Sequence, residues 1–530
     1  MSIAILLTCL LAVCGTATCQ EGPAATQQQQ QQRLTWNRLG GLGAPLTDAA
    51  TPERYSGYFK LNRTYDAHMF FFYFQARKDP DNAPVVLWHT GGPGCSSELA
   101  VFFENGPWTI NPADLTLNET EHGWDVNHHM IFVDQPINTG FSYSEDKRDR
   151  CYDEDCVAND MVDFLGEFFK ARSELQGRPF FVTGESYAGH YVPAVASAVF
   201  HASRSGQLDP PVNLQGLAIG NGLTNPAIQY GAYSDYALLN GLIGQGLAEK
   251  LKLIYPACRV ALEVCDGLDF AFECLLAVQF CQMTQFVPVM IVNADMNVYD
   301  IRKQCEGPLC YREFEASCGP LLVLGKHCFT ICNVTNVLDR YLNQPSVRRE
   351  LGVGDRVWEA CNMGVHSDMM SDWGHNFDTV LPELLKAGVR VMIYAGDQDF
   401  ICNHVGNRQW VDVLPWHDAS RWALAADQSW EVEGGEAGTV KQVGPMSFVT
   451  VFQAGHMVPM DQGKHALDMI TRFSRDEPLH QPPAGSSGHP ATGRKVLPGA
   501  TWKLRRAGAG SQGGRLVAGS SEEVLAGAEQ

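Results

Sequence analysis

Basic residues are in short supply. The 530-residue chain carries 39 Lys and Arg against 59 Asp and Glu, a formal net charge of −20. A chain so acidic is not expected to bind nucleic acid or an anionic membrane surface, since both are polyanions. There is no C-x-x-C pair and no H-E-x-x-H, which argues against zinc; no metal or cofactor is expected. No G-K-[ST] follows a glycine-rich stretch, which argues against a phosphate loop, and no internal repeat is visible. Beyond the first residues, no segment reads as long and apolar enough to cross a bilayer, so no membrane span is expected.

What is present points to a secretory route. Ile3 to Val13 form an apolar run broken only by Thr8, followed by small residues up to Ala17 and Cys19. That length suits a signal-peptide core and falls short of a span, although no Lys or Arg precedes it. Residues 1–19 are therefore expected to be a signal peptide. Of the 17 cysteines, three lie in this stretch and the rest fall between Cys95 and Cys402. With zinc disfavoured, an oxidising compartment and a disulfide framework explain them better. Asn62, Asn118 and Asn333 each begin an N-x-T sequon and are expected glycan acceptors. The implied location is secreted, or a vacuolar or lysosome-like lumen.

The chain is long enough for a sizeable core, and 45% of it is hydrophobic. Residues 20–54 include the glutamine run Gln27 to Gln32 and are expected to lack order, having little apolar surface to offset the entropy of folding. From Tyr55, short apolar runs alternate with amphipathic stretches. Val85–Trp88, Met130–Val133, Phe180–Val182, Leu217–Ile219, Val389–Tyr394 and Phe448–Phe452 read as buried strands. Asp160–Lys170 and His190–Ser203 carry helical spacing. The alternation predicts an α/β domain over 55–475, with a mostly parallel central sheet and helices on both faces. A cysteine-rich stretch at about 226–361 breaks the rhythm and reads as a helical, disulfide-rich insertion over the C-terminal edge of the sheet. From 476 to 530 the chain turns to Gly, Ser and Pro and reads as a tail without fixed structure.

Four stretches carry the chemistry. Gly184-Glu185-Ser186-Tyr187-Ala188 follows the Phe180 strand and precedes a helical stretch, the setting of a nucleophile elbow. Small neighbours let the backbones approach, and the Tyr187 N–H would point at an oxyanion from a helix start. A serine needs a base, and the base needs an orienting acid. Asp399 and His456 follow later strands in the required order. Asp397 would suit a turn equally well, and His456 is one of 16 histidines. The fourth stretch, Thr90-Gly91-Gly92-Pro93-Gly94-Cys95, follows the Val85 strand, and its glycines let N–H groups turn toward an oxyanion or a carboxylate.

These motifs, with Phe102–Pro107, Asp134-Gln135-Pro136, Gly220-Asn221-Gly222 and Asp461, resemble the serine carboxypeptidase family, most of all its plant-type single-chain members. The likeness runs from about Tyr55 to Phe473. It implies an α/β-hydrolase fold, with Ser186 as nucleophile, His456 as base, Asp399 as its orienter, and Gly92 and Tyr187 as the oxyanion hole. It also implies that Glu104 and Glu185, with Thr90 and Gly91, hold the terminal carboxylate of a peptide. Thr90 stands where most members have Asn. Two carboxylates pressed together cannot both ionise cheaply, so activity in acid is expected. Cys402 would be unpaired beside the active site, and Met457 would line the leaving-group side. The family pattern pairs Cys95 with Cys361, Cys258 with Cys281, Cys265 with Cys274 and Cys305 with Cys310, and leaves Cys151, Cys156, Cys318, Cys328 and Cys332 unassigned. The implied substrates are peptide and protein C-termini, and the implied state is monomer or homodimer. Some relatives pass the acyl group to an alcohol instead; retention of both glutamates favours hydrolysis.

Overall fold

Apolar residues that alternate along a strand end on opposite faces of a sheet, so a strand buried on both faces must be apolar throughout. The computed structural model shows this for the central strands; it describes residues 34–39, 52–268, 271–304 and 337–480, with short strand segments between 316 and 334. The expected signal peptide, the glutamine run and the tail from 481 onward lie outside the described residues.

The strands of the main sheet are β1 (Leu34–Arg38), β2 (Arg54–Lys60), β3 (His68–Phe74), β4 (Val85–His89), β5 (His129–Val133), β6 (Phe180–Glu185), β7 (Leu214–Gly220), β8 (Arg390–Gly396), β9 (Gln428–Val432), β10 (Gly435–Val443) and β11 (Met446–Val451). Their order across the sheet is β1-β2-β3-β5-β4-β6-β7-β8-β11-β10-β9. The six from β5 to β11 in that order pair parallel, and antiparallel strands close both edges. Val85 and Leu87 point into one core, and Val86 and Trp88 into the other. The first core takes Phe164 and Phe168 of α2 (Glu154–Ala171) and Val195 and Val199 of α3 (Ala188–Ser205). The second takes Phe102 of α1 (Glu98–Phe103) and Met469 and Ile470 of a C-terminal helix, Gly463–Ser474. Helices therefore cover both faces.

After β4 the chain places β5 on one side and β6 on the other, which makes the gap between β4 and β6 a topological switch point. In open α/β sheets, ligands bind at the carboxyl ends of the strands at such a point. The Gly-rich loop and the serine turn leave these two strands there.

Between β7 and β8 the described residues are mostly helical. It includes α4 (Pro226–Leu239), α5 (Gln245–Leu268), α6 (Ala271–Cys281) and α7 (Val287–Val292). Disulfides Cys258–Cys281 and Cys265–Cys274 tie α5 to α6. This segment touches the loops after β8 and β11: Tyr233 and Tyr236 donate hydroxyl hydrogen bonds to Ile401 O and Asp397 O, and His456 N–H donates to Tyr299 O.

The structure departs from the sequence reading in four places. Strand β1 lies inside the stretch 20–54 expected to lack order; Leu34-Thr35-Trp36 sits close behind the glutamine run, which drew the boundary too wide. At the other end, Leu479 is 4% exposed, so the packed chain continues past 475. Cys151 and Cys156, left unassigned, form a disulfide at the start of α2. The expectation of no second span-like segment is also corrected, because helical Ala271–Val292 is long and apolar enough by length and composition. Glu273 and its scattered glutamines hid the run. Disulfides at Cys274 and Cys281, and burial of Val278 and Val289, fix it to the insertion instead.

Candidate active site

Strand β6 delivers Ser186 at a sharp turn. Its φ is +68°, a left-handed value that non-glycine residues adopt only under constraint. Three backbone bonds supply that constraint: Ser186 N–H donates to Gly220 O, and Ser186 O accepts from Gly189 and Leu223 N–H. Helix α3 begins two residues later, at Ala188. The loop after β4 lies directly against this elbow. A methyl group added at Gly91 would stand 2.4 Å from Tyr187 N and 2.8 Å from Ser186 Cβ, so only glycine permits the approach. Gly92 turns the loop at φ +115°, and the Cys95–Cys361 disulfide anchors its far end.

The base and the acid meet behind the elbow. His456 Nδ1 lies 2.9 Å from Asp399 Oδ2, with the two residues 2% and 0% exposed. Asp399 is held from several sides. Oδ2 also accepts from Asn221 Nδ2 at 2.7 Å and Cys402 N–H at 3.2 Å, and Oδ1 from Ile401 N–H at 3.0 Å. An acid so bound fixes the imidazole with Nδ1 protonated and Nε2 free to accept. His456 Nε2 is buried and makes no hydrogen bond, so the link to Ser186 Oγ is open. Catalytic hydrogen bonds commonly tighten only once substrate is bound.

Two glutamates complete the arrangement. Glu185 ends β6 and is 4% exposed, and Glu104 follows α1. Burial pushes Glu104 up to about 7, against a hydrogen bond from Glu185 that lowers it. Burial, then the charge of Glu104, raises Glu185 well above the usual carboxylate range. The two therefore hold a shared proton, with Glu185 as the donor. Oε2 of each is buried without a partner. Thr90, half-buried in the loop after β4, accepts at Oγ1 from Trp88 Nε1 at 3.0 Å. That contact was missed in the sequence, where Trp88 reads only as strand core.

The other expected neighbours are also located. Cys402 is free and buried, and burial pushes its thiol well above its ordinary value, which keeps it neutral. Met457 is partly buried and precedes a short helical turn. Cys305 and Cys310 lie outside the described residues, as do the side chains of Cys318, Cys328, Cys332 and Asn333. Asn62 and Asn118 are exposed. Asn221 was visible in sequence only as part of Gly-Asn-Gly after a strand; its role in holding Asp399 appears in the fold. Among the described residues, two groupings have metal-ligand character, Cys265/Cys274/His375 and Cys151/Cys156/Asp160, but in each both sulfurs are joined in a disulfide.

Comparison with known proteins places the whole domain in one family. A family model described as serine carboxypeptidase matches residues 45–476. "Serine carboxypeptidase 3" of Hordeum vulgare is 43% identical over 451 residues, covering 85% of this chain and 82% of the relative. "Carboxypeptidase Y" of Komagataella phaffii is 36% identical over 428 residues, covering 79% and 76%. Among solved structures, that of Kex1(delta)p, a prohormone-processing carboxypeptidase from Saccharomyces cerevisiae, superposes with a TM-score of 0.67 at 23% identity, covering 84% of this chain and 96% of the other. That likeness supports the α/β-hydrolase fold.

Proposed function

The chain belongs to the serine carboxypeptidase family, and from that premise we propose how its own residues cleave a peptide. It is a serine-type peptidase, a hydrolase acting on peptide C-termini. Ser186 Oγ attacks the carbonyl of the last peptide bond as His456 Nε2 takes its proton. The leaving amine accepts that proton and departs as one amino acid, and the acyl group stays on Ser186. Water, deprotonated by His456, then releases the shortened peptide. Backbone N–H groups of Gly92 and Tyr187 hold the oxyanion. Glu104, Glu185, Thr90 and Gly91 hold the terminal carboxylate, with the shared proton donated toward it. Met457 borders the departing residue, and Cys402 backs Asp399.

The observation that carries this reading is the buried 2.9 Å bond from His456 to Asp399 behind a strained serine turn. The domain read from sequence as residues 55–475 is extended by β1 (Leu34–Arg38) and by the packed end at Leu479, with its insertion at about 226–361, and activity is read as favoured in acid. Disulfides outside any C-x-x-C pair, with the apolar N-terminal run, support a secretory or vacuolar lumen. Asn62 and Asn118, both exposed, and Asn333 would carry glycans there. The oligomeric state is read as monomer or homodimer.

A blocked dipeptide incubated with the protein in acid tests this reading. Mass spectrometry is expected to show loss of one terminal residue, and Ser186→Ala to lower the rate by about 10⁵-fold or more. Release that survives in Ser186→Ala, or recovery of the acyl group as an ester of an added alcohol in place of the free acid, would count against it.

A further inference from the structure

One buried side chain faces the glutamate pair and has no part in the reading above. In the sheet register Glu185 of β6 stands opposite Gly220 of β7, and Gly220 stands opposite Tyr394 of β8. The three residues form one row across three neighbouring strands, and side chains in one row project from the same face. The Cα atoms of Glu185 and Tyr394 are then about 10 Å apart, too far for most side chains to meet over an occupied middle position. The middle position is empty of side chain. A Cβ on Gly220 would fall 2.3 Å from Tyr394 Cζ and 2.4 Å from its hydroxyl oxygen, so the phenol lies across the glycine toward Glu185. Tyr394 is 0% exposed and its hydroxyl has no hydrogen-bond partner. Glu185 Oε2 and Glu104 Oε2, the outer oxygens of the carboxyl pair, are likewise buried and unpartnered. A hydroxyl donates readily to a carboxyl oxygen, and leaving both unpaired in the interior is costly.

We propose that Tyr394 is a positioning residue of the carboxylate-binding site: its hydroxyl reaches across Gly220 to the Glu185 carboxyl, directly or through one water, and keeps that carboxyl aimed at the substrate's terminal carboxylate. Gly220 is the gap that allows it. The role deepens the reading of Glu185 given above and rests on it. Burial, then the charges of Glu185 and Glu104, raises the phenol well above its ordinary value, so it remains a donor throughout the working range. A donor to Glu185 favours the ionised form of the pair and lowers the pH at which it loses its proton.

The test compares two substrates, a blocked dipeptide with a free carboxylate and the matching ester, which exposes the triad alone. Tyr394→Phe keeps the ring and removes the donor. The peptide-to-ester ratio of kcat/KM is expected to fall about fivefold to tenfold, through KM of the peptide. The alkaline limb of the peptide profile should move to higher pH. Labelling of Ser186 by a serine-directed phosphonate reports the folded fraction. Should Tyr394→Phe not fold, 3-fluorotyrosine at 394 provides a stronger donor of nearly the same shape, and the alkaline limb should then move to lower pH. A ratio that stays constant, or a limb that stays put in the folded variant, overturns the proposal. Failure of the wild-type protein to release any residue from the peptide would instead sink the underlying reading, whatever the ratio.

Discussion

Glu185 is adjacent in sequence to the serine, and burial suits it to the proposed part in carboxylate binding, which an exposed acid could not play. In water the two glutamates would be ionised near pH 4 and would repel a peptide's terminal carboxylate. Within the protein, burial pushes Glu104 up to about 7, and burial with the charge of Glu104 raises Glu185 well above the usual carboxylate range, so the pair keeps a proton to donate. The direction of the pH effect follows: carboxylate binding is strong while the pair is protonated, begins to weaken as the pH rises through about 7, where Glu104 ionises, and is lost as Glu185 gives up the shared proton. A blocked dipeptide assayed from pH 5 to 8 should show kcat/KM falling at the alkaline end. Glu185→Gln, whose amide donates at every pH, should flatten that fall while lowering the acid-side maximum by about tenfold, because an amide N–H is a weaker donor to the same carboxylate than a carboxylic acid O–H. An unaltered alkaline fall in the glutamine variant would assign the titration to another group.

At the scale of elements, the active site is assembled by strand ends. β4 brings the Gly-rich loop, β6 the serine and Glu185, β7 Asn221, β8 Asp399, and β11 is followed by His456. Most of this was legible in the sequence because each piece is local. Phe180–Val182 announces a strand, Gly184 to Ala188 a tight turn, and the next residues a helix. The six expected strands all lie within or overlap the observed ones, since a strand buried on both faces leaves an unbroken apolar run. What stayed hidden depends on register between distant strands. That Gly220 stands between Glu185 and Tyr394 cannot be read from any one segment, nor that Asn221 and Cys402 N–H converge on Asp399. Glu104 is indicated only by family resemblance, because nothing in Phe103-Glu104-Asn105 marks it as half-buried with its carboxyl beside another acid. The short β1 strand and the Cys151–Cys156 link were hidden for another reason, since a brief edge pairing and a tight cysteine loop carry little compositional signal.

The whole molecule carries more buried ionisable groups than its active site needs. Burial raises Asp160 and Asp378 to about 6 and Asp372 to about 7. Burial also puts Asp134, Glu154 and Glu185 well above their ordinary range. Carboxyls raised in the folded state stabilise it fully at low pH, and that contribution is lost as the pH climbs through their folded values. Histidines act in the opposite sense. Burial lowers His89 to about 3 and His128, His129 and His190 to about 4, so each disfavours the fold as the pH drops below 6.5. The two trends oppose one another in acid, and only the carboxyl trend continues above 6.5. Thermal melts should give a higher Tm at pH 5 than at pH 8, with the steeper decline above 6.5. A Tm that rises from pH 6 to 8 would show that these carboxyls ionise in the fold without penalty. Such a profile suits an acidic lumen.

Every step of the proposed cleavage passes through an acyl group held covalently on Ser186. Rapid acid quenching during turnover of a slow ester, followed by mass mapping, tests it most directly. The acyl mass should appear on the peptide containing Ser186 and be absent from Ser186→Ala. Steady turnover with the acyl group on another residue, or on none, would contradict the account.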